Sequence, residues 1–483
     1  MRRYTIVALL LCFSCLPGRV QSQPVYTYQQ LSKTYYATQK DSLKKAWVCP
    51  DLNSTKAIQK IYREIWDGRT EFLLTSIENQ HYIYEPGLYL YLQGIIDQLA
   101  AGSPTLFTTR PLLLIDRSPV ANAYALGNNT LVINLGLISF SQSREELSLA
   151  IAHELSHNIL HHVENAMREK AEWLGSDEYK HSLNDVLSSK YGRYSRLQKA
   201  LTDYSFSRSK HQRYHESDAD SLAVILLQHS RIPFNAEFFL RLDSADIQYR
   251  QPLKKPLQEY FTIYHLPFNE SWTRIHTRGL STRTYNFTDT THLADSLQTH
   301  PDCIERYQRT LSRSDANLTI TPIPIMLSRN CTKMLLWNMF DDRNLTACLY
   351  RIWQEKDKGN DDQWFDFMAY AVFTGLYYSD KDLQRFNAVA IQQKEYISEE
   401  YYQLQTMLEQ MPAESLQAYY TTLQQASFWS SRPADEKALK DFLADLCAPS
   451  ENRDKARRIS AENFTANNPA SMYCEFADQF RKK

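Results

Sequence analysis

The chain of 483 residues is poor in glycine, with 12 in all. It contains no Walker loop, GxSxG motif or Rossmann fingerprint. Scarce glycine argues against a glycine-rich nucleotide-binding fold and favours helices. Neither sign of charge dominates, because 54 Lys and Arg oppose 55 Asp and Glu. No overall field therefore attracts the chain to nucleic acid or acidic lipid, and we expect no nucleic-acid partner.

Long apolar runs are also lacking. Residues 1–3 include two arginines, residues 6–13 are apolar, and residues 20–22 offer a signal-peptidase site before Gln23. This order predicts a signal peptide over 1–22 and an exported protein, either periplasmic or secreted. A lipoprotein would need a small-residue box before Cys15, and the three residues before it match one poorly. Beyond residue 22 no apolar run reaches 18 residues, so we expect no transmembrane segment.

Six cysteines follow the predicted signal peptide, and no two of them form a CxxC pair. They are Cys49, Cys303, Cys331, Cys348, Cys447 and Cys474. The missing CxxC spacing argues against a zinc ribbon. An even number in an oxidising compartment permits disulfides, but the sequence does not choose their pairing.

Hydrophobic periodicity predicts helices over most of the chain and a small sheet near residue 120. Residues 112–115 form a short apolar run, and residues 121–134 have the pattern of a hairpin with a Gly-Asn-Asn turn. Ser143 and Glu146 form a capping-box signature before an apolar helix expected to run to about Val163. The predicted fold class is α+β, mainly α with a small β-sheet.

The strongest chemical signal is the HExxH string from His153 to His157. Positions i and i+4 share one face of a helix, so both imidazoles point at one locus. Two such histidines supply two of the three protein ligands of a catalytic zinc. Glu154 lies beside His153 and can take a proton from water at the open position.

The third metal ligand has to come from elsewhere in the chain. Leu160 and Val163 stand where the metzincin pattern has Gly and His, so that branch is excluded. Glu216, at the start of an amphipathic helix, is the best candidate for a distant carboxylate ligand. Asp220, one turn later, could orient a ligand imidazole or pass a proton to the leaving amine.

At this point the sequence resembles the M48 zinc metallopeptidases, over roughly residues 80–310. The segments that carry the resemblance are 122–125 with 131–137, 145–157 with His162, Ser207-Arg208 with 216–220, and 299–301 with Arg306. The transmembrane segments of the membrane-embedded branch are missing, so the soluble exported branch fits better.

The resemblance implies a gluzincin core with one Zn²⁺ on His153, His157 and Glu216. It also implies Glu154 as general base, Asp220 as a proton donor, and an edge strand near Asn122 that holds polypeptide substrate as an extended strand. In some relatives the histidine of a Thr-His-Pro element approaches the metal. By motif that residue is His300, with His265 as a second candidate.

These features divide the chain into four predicted parts. Residues 1–22 are the signal peptide, 23–105 a helical segment packed on the core, 106–310 the metallopeptidase domain and 311–483 a C-terminal helical domain that could bind clients. Six aromatic residues of the last part could line a partner groove or form its core: Tyr350, Trp353, Trp364, Tyr370, Tyr377 and Tyr378.

Two functions are compatible with these features. The first is a zinc-dependent endopeptidase that hydrolyses peptide bonds of exported or envelope proteins. The second is a quality-control or assembly factor whose helical tail binds client proteins while the peptidase site is masked or vestigial.

Overall fold

The computed structural model describes residues 40–188, 214–243, 249–274, 303–315 and 318–481. The predicted signal peptide, residues 1–22, lies outside them. The first part of the description contains four helices and all four strands of the sheet: α1 (Lys40–Ala46), α2 (Lys56–Glu78), β1 (Tyr82–Ile83), α3 (Pro86–Gly102), β2 (Leu112–Asp116), β3 (Ala123–Gly127), β4 (Thr130–Asn134) and α4 (Leu135–Phe140). The predicted strand and hairpin are confirmed.

The sheet has the order β1-β2-β4-β3. Strands β2 and β4 are parallel, and β3 pairs antiparallel with β4. The hairpin turn between β3 and β4 places Asn128 at φ 48° and Asn129 at φ 52°. Positive φ at both positions is what a type I′ turn needs, and Asn adopts it more readily than most residues. Because β3 pairs on one side alone, it forms an edge of this sheet.

Both faces of the sheet are buried, and alternate residues of β2 and β4 enter two different apolar clusters. Leu113, Ile115, Leu131 and Ile133 join the large core. Leu114 and Val132 join a smaller cluster with Trp47, Trp66 and Met167. The α+β class predicted from the sequence is therefore correct, with helices covering both faces.

The next helices hold the predicted site: α5 (Arg144–Ile159), α6 (His162–Gly175), α7 (Asp177–Ser188) and α8 (residues 214–229). The predicted capping box begins α5, since Ser143 Oγ accepts from the Glu146 N–H at 3.1 Å. The expectation of one helix to about Val163 is wrong. Helix α5 ends at Ile159, and His161 adopts a left-handed conformation at φ 56° before α6 starts.

The rest of the described chain is almost wholly helical: α9 (Glu237–Asp243), α10 (Leu257–Ile263), α11 (Cys303–Thr310), α12 (Ile325–Asp341), α13 (Leu345–Asp357), α14 (Gln363–Lys381), α15 (Arg385–Val389), α16 (Glu399–Gln410), α17 (Ala413–Gln424), α18 (Ala434–Cys447), α19 (Arg453–Asn467) and α20 (Cys474–Arg481), with short 3₁₀ turns between some of them. Helix α12 packs against α4, and Asn338 donates to the Arg117 carbonyl at 2.9 Å. The C-terminal helices share one apolar core with the sheet.

The aromatic residues between 350 and 378 belong to this core. All six have side chains that are at least nine-tenths buried. Trp353 stacks on Tyr260 of α10 with ring centroids 5.0 Å apart. The interpretation as core is therefore correct, and these rings do not line an open groove.

All six cysteines that follow the predicted signal peptide are free thiols in this structure. Cys331 and Cys348 lie in the core, where burial raises the pKa of both thiols. Their packing is that of small apolar side chains.

Gly136 lies where the backbone of α4 closely approaches the loop that leads into β3. A Cβ at this position would overlap the Pro119 carbonyl group, and the Gly136 N–H donates to the Ser118 carbonyl at 3.0 Å. We predict that Gly136→Ala lowers the free energy of unfolding by about 1–3 kcal/mol through overpacking. Gly94→Ala, in α3 with no atom within 4 Å of the new methyl, should raise it by about 0.5–1 kcal/mol. Urea unfolding measures both, and equal stability of Gly136→Ala and wild type would refute the close fit.

Candidate metal centre

The HExxH histidines lie on the buried face of α5, as the i, i+4 spacing predicts. His153 is 3% exposed, and its Nε2 atom lies 3.1 Å from Nε2 of His157. Each ring thus turns the same nitrogen towards one point. The Nδ1 atoms face the other way, where neighbouring side chains can hold them.

Glu216 reaches the same point from α8. Its carboxylate lies 3.2 Å from His153 Nε2 and 3.5 Å from His157 Nε2. Metal–ligand bonds of 2.0–2.1 Å at tetrahedral angles place ligand atoms about 3.3 Å apart. The three observed separations bracket that value. Glu216 is buried, so this carboxylate and the two imidazoles form a cluster that could hold a metal ion.

Asp220 orients His153 from behind. Its Oδ1 lies 2.9 Å from His153 Nδ1, and Arg306 donates to the same carboxylate from Nη2 at 2.6 Å and from Nε at 3.0 Å. Arg306 in turn stacks on the ring of Phe239 at 4.4 Å. Burial raises the pKa of Asp220, but the hydrogen bond from His153 and the Arg306 charge outweigh it and lower that pKa to about 2. Asp220 is therefore ionised at neutral pH.

The electrostatics of the centre favour a cation. Burial alone would lower the pKa of His153, and the Arg306 charge acts in the same direction. Hydrogen bonds to Asp220 and Glu216 prevail and raise the pKa of His153 to about 10. Two carboxylates, those of Asp220 and Glu216, thus face this ring. A divalent cation that displaced the proton would satisfy the same carboxylates.

Glu154 connects the centre to the edge strand. Its Oε2 accepts from the Ala125 N–H at 2.9 Å, and its Oε1 lies 4.0 Å from His153 Nε2. The Ala125 N–H therefore points away from β4, towards the centre. One carboxylate oxygen is fixed by the strand, and the other faces the metal ligands.

The structure describes only one of the two other histidines that the sequence suggested for the site. His300 lies outside the described residues, as does the Ser207-Arg208 pair. His265 is exposed in the turn after α10, where its N–H donates to the Thr262 carbonyl.

Sequence reasoning missed three contributors to the centre. Arg306 appeared only as a motif position, and its contact with Asp220 spans 86 residues. Ala125 contributes a backbone N–H, which leaves no trace in residue type. His162, whose Nδ1 lies 2.9 Å from Nδ1 of His157, was likewise visible only as a motif position. Burial and His215 lower the pKa of its ring to about 4.

Two histidines one helical turn apart, a glutamate between them and a carboxylate from a second helix define the class of HExxH metallopeptidase-type sites. Residues 89–314 of the chain match the model of peptidase family M48. The resemblance drawn from the sequence is confirmed.

One curated relative is similar to the chain over a shorter stretch. The chain is 28% identical over 88 residues to the beta-barrel assembly-enhancing protease of Yersinia pestis. The aligned stretch covers 18% of this chain and 18% of the relative. Over the described residues no helix combines the length and apolarity needed to cross a bilayer.

The geometry predicts that metal binding needs Glu216 as well as the histidines. Glu216→Ala and His157→Ala should each lower bound zinc from about one per chain to near zero, because two remaining ligands bind weakly. Glu178→Ala, which removes an exposed carboxylate of α7, serves as the matched control and should keep full loading. Elemental analysis after dialysis measures the content. Full loading of Glu216→Ala would exclude Glu216 as a ligand.

Proposed function

We propose that the protein is a zinc-dependent endopeptidase that cleaves exported or envelope proteins. The observation that carries the proposal is the convergence of His153, His157 and Glu216, with Glu154 facing the same point. Nitrogen and carboxylate donors at these separations suit Zn²⁺. A zinc ion bound there would act as a Lewis acid towards the peptide carbonyl and make a water molecule easier to deprotonate.

The chain's own residues supply the remaining steps. Glu154 takes the water proton on Oε1, because Oε2 is engaged by the Ala125 N–H. A proton held there can pass to the leaving amine. Asp220 keeps His153 oriented and does not donate, since an ionised carboxylate paired with Arg306 has no proton to give.

Strand β3 is the proposed place for substrate. It is an edge of the sheet, and the Ala125 N–H shows which side of the strand faces Glu154. An extended polypeptide added along this edge, starting near Asn122, would run past the metal ligands. Backbone hydrogen bonds would then fix its register with little dependence on sequence.

Export and client binding belong to the same proposal. The predicted signal peptide supports an exported, periplasmic or secreted location. The name of the Yersinia relative joins protease and assembly functions in one protein, which favours a second candidate, an assembly factor with a masked peptidase site. The helices after residue 311 would then bind clients. A catalytically inactive variant that still supports assembly in cells would select this second function.

Glu154→Gln tests the endopeptidase directly. The amide keeps the size of the side chain but cannot accept the water proton, so cleavage of casein should fall by about 10²–10⁴-fold while zinc content stays unchanged. Glu178→Gln, the same change on the exposed face of α7, should cleave like wild type. Undiminished cleavage by zinc-loaded Glu154→Gln would reject the mechanism.

The Asp220→Asn variant distinguishes two possible roles of Asp220, which are to orient His153 and to donate a proton to the leaving amine. If Asp220 orients His153, the variant should bind zinc about 10–100-fold more weakly. Excess zinc should then recover most of its activity. A proton donor would behave oppositely, with normal zinc affinity and activity that zinc cannot restore. Zinc titration with parallel casein assays distinguishes the two.

A further inference from the structure

His157, the second histidine of the proposed metal site, contacts another histidine, His162. Nδ1 of His162 lies 2.9 Å from Nδ1 of His157, and the two rings are tilted at 71°. His162 is 8% exposed. This contact lies on the side of His157 opposite Nε2, which faces Glu216 and His153.

This contact depends on the break between α5 and α6. Residues five apart on a continuous helix lie about 140° apart around the axis, at about 100° per residue. His157 and His162 could not face each other in that arrangement. The left-handed His161, at φ 56°, ends the regular helix and turns His162 back towards His157. A non-glycine residue in this region is strained, and such strain often accompanies a functional site.

His162 also contacts the segment that carries the third ligand. Its ring stacks on His215 with centroids 4.3 Å apart and planes at 9°. His215 immediately precedes Glu216 at the start of the described part of α8. One side chain therefore touches a metal-binding histidine on α5 and the neighbour of the metal-binding glutamate on α8.

We infer that His162 is a positioning residue that fixes both His157 and Glu216 for the metal. The inference rests on the proposed zinc site. A histidine that binds metal through Nε2 carries its proton on Nδ1, so Nδ1 of His157 donates and Nδ1 of His162 accepts. His162 then holds its own proton on Nε2. His153 is oriented by a carboxylate and His157 by a neutral ring, so the two imidazoles are held by different chemistry.

The first test compares zinc affinities of full-length variants by chelator competition. His162→Ala should weaken zinc binding by about 10–100-fold, as the loss of a partner to a ligand imidazole commonly does. His162→Asn should recover part of the loss, because its amide oxygen can accept from His157. His181→Asn is the matched control, since His181 is an exposed histidine of α7, and it should bind zinc like wild type.

Wild-type affinity in a folded His162→Ala would overturn the inference while leaving the endopeptidase proposal intact. Failure of the wild-type protein to bind zinc would instead overturn the proposed function itself.

The second test needs no substitution and so remains decisive if His162→Ala fails to fold. Nitrogen-15 NMR of histidine-labelled, zinc-loaded protein reports the tautomer of each ring. We expect His157 to carry its proton on Nδ1 and His162 to carry its proton on Nε2. A proton on Nδ1 of His162 would overturn the assignment, because that nitrogen could not then accept from His157.

Discussion

Three carboxylates lie buried around the histidine pair, and this charge is the constraint on which the centre depends. Glu154, Glu216 and Asp220 are each at least nine-tenths buried, and Asp220 is paired with Arg306 and Arg309. Buried charge is costly unless it is paired. A divalent cation on His153, His157 and Glu216 would be stabilised by these carboxylates.

The fold meets this constraint by bringing five separate segments to one point. Helix α5 provides the histidines and α8 provides Glu216 and Asp220. Helix α11 provides Arg306, β3 provides the Ala125 N–H, and the first turn of α6 provides His162. The apolar core that joins the sheet to the C-terminal helices lies beneath them. The geometry of the candidate metal centre therefore depends on packing between segments that are distant in the sequence.

Local patterns in the sequence predicted the parts of this arrangement that depend on short spacing. The hairpin at 121–134, the capped start of α5 and the shared face of His153 and His157 all follow from spacing within one element. Glu216 was a candidate because it is a carboxylate at the start of an amphipathic helix. Its approach to the histidines required the tertiary fold.

What sequence could not provide depends on contacts between distant segments or on the backbone. Arg306 was visible as a motif position, but its contact with Asp220 was not. Ala125 acts through its backbone N–H, a group that every residue except proline has. His161 shows a different limit: periodicity continued the helix through it, whereas the structure places a left-handed residue there. The contact of His162 with His157 exists because of that break.

We propose that two imidazoles and one carboxylate hold one zinc ion. Zinc K-edge X-ray absorption of the full-length, zinc-loaded protein measures this coordination. We expect nitrogen and oxygen neighbours at about 2.0–2.1 Å from zinc, with multiple scattering from two imidazoles and no sulfur. Sulfur ligands at about 2.3 Å, or scattering from fewer than two imidazoles, would contradict it.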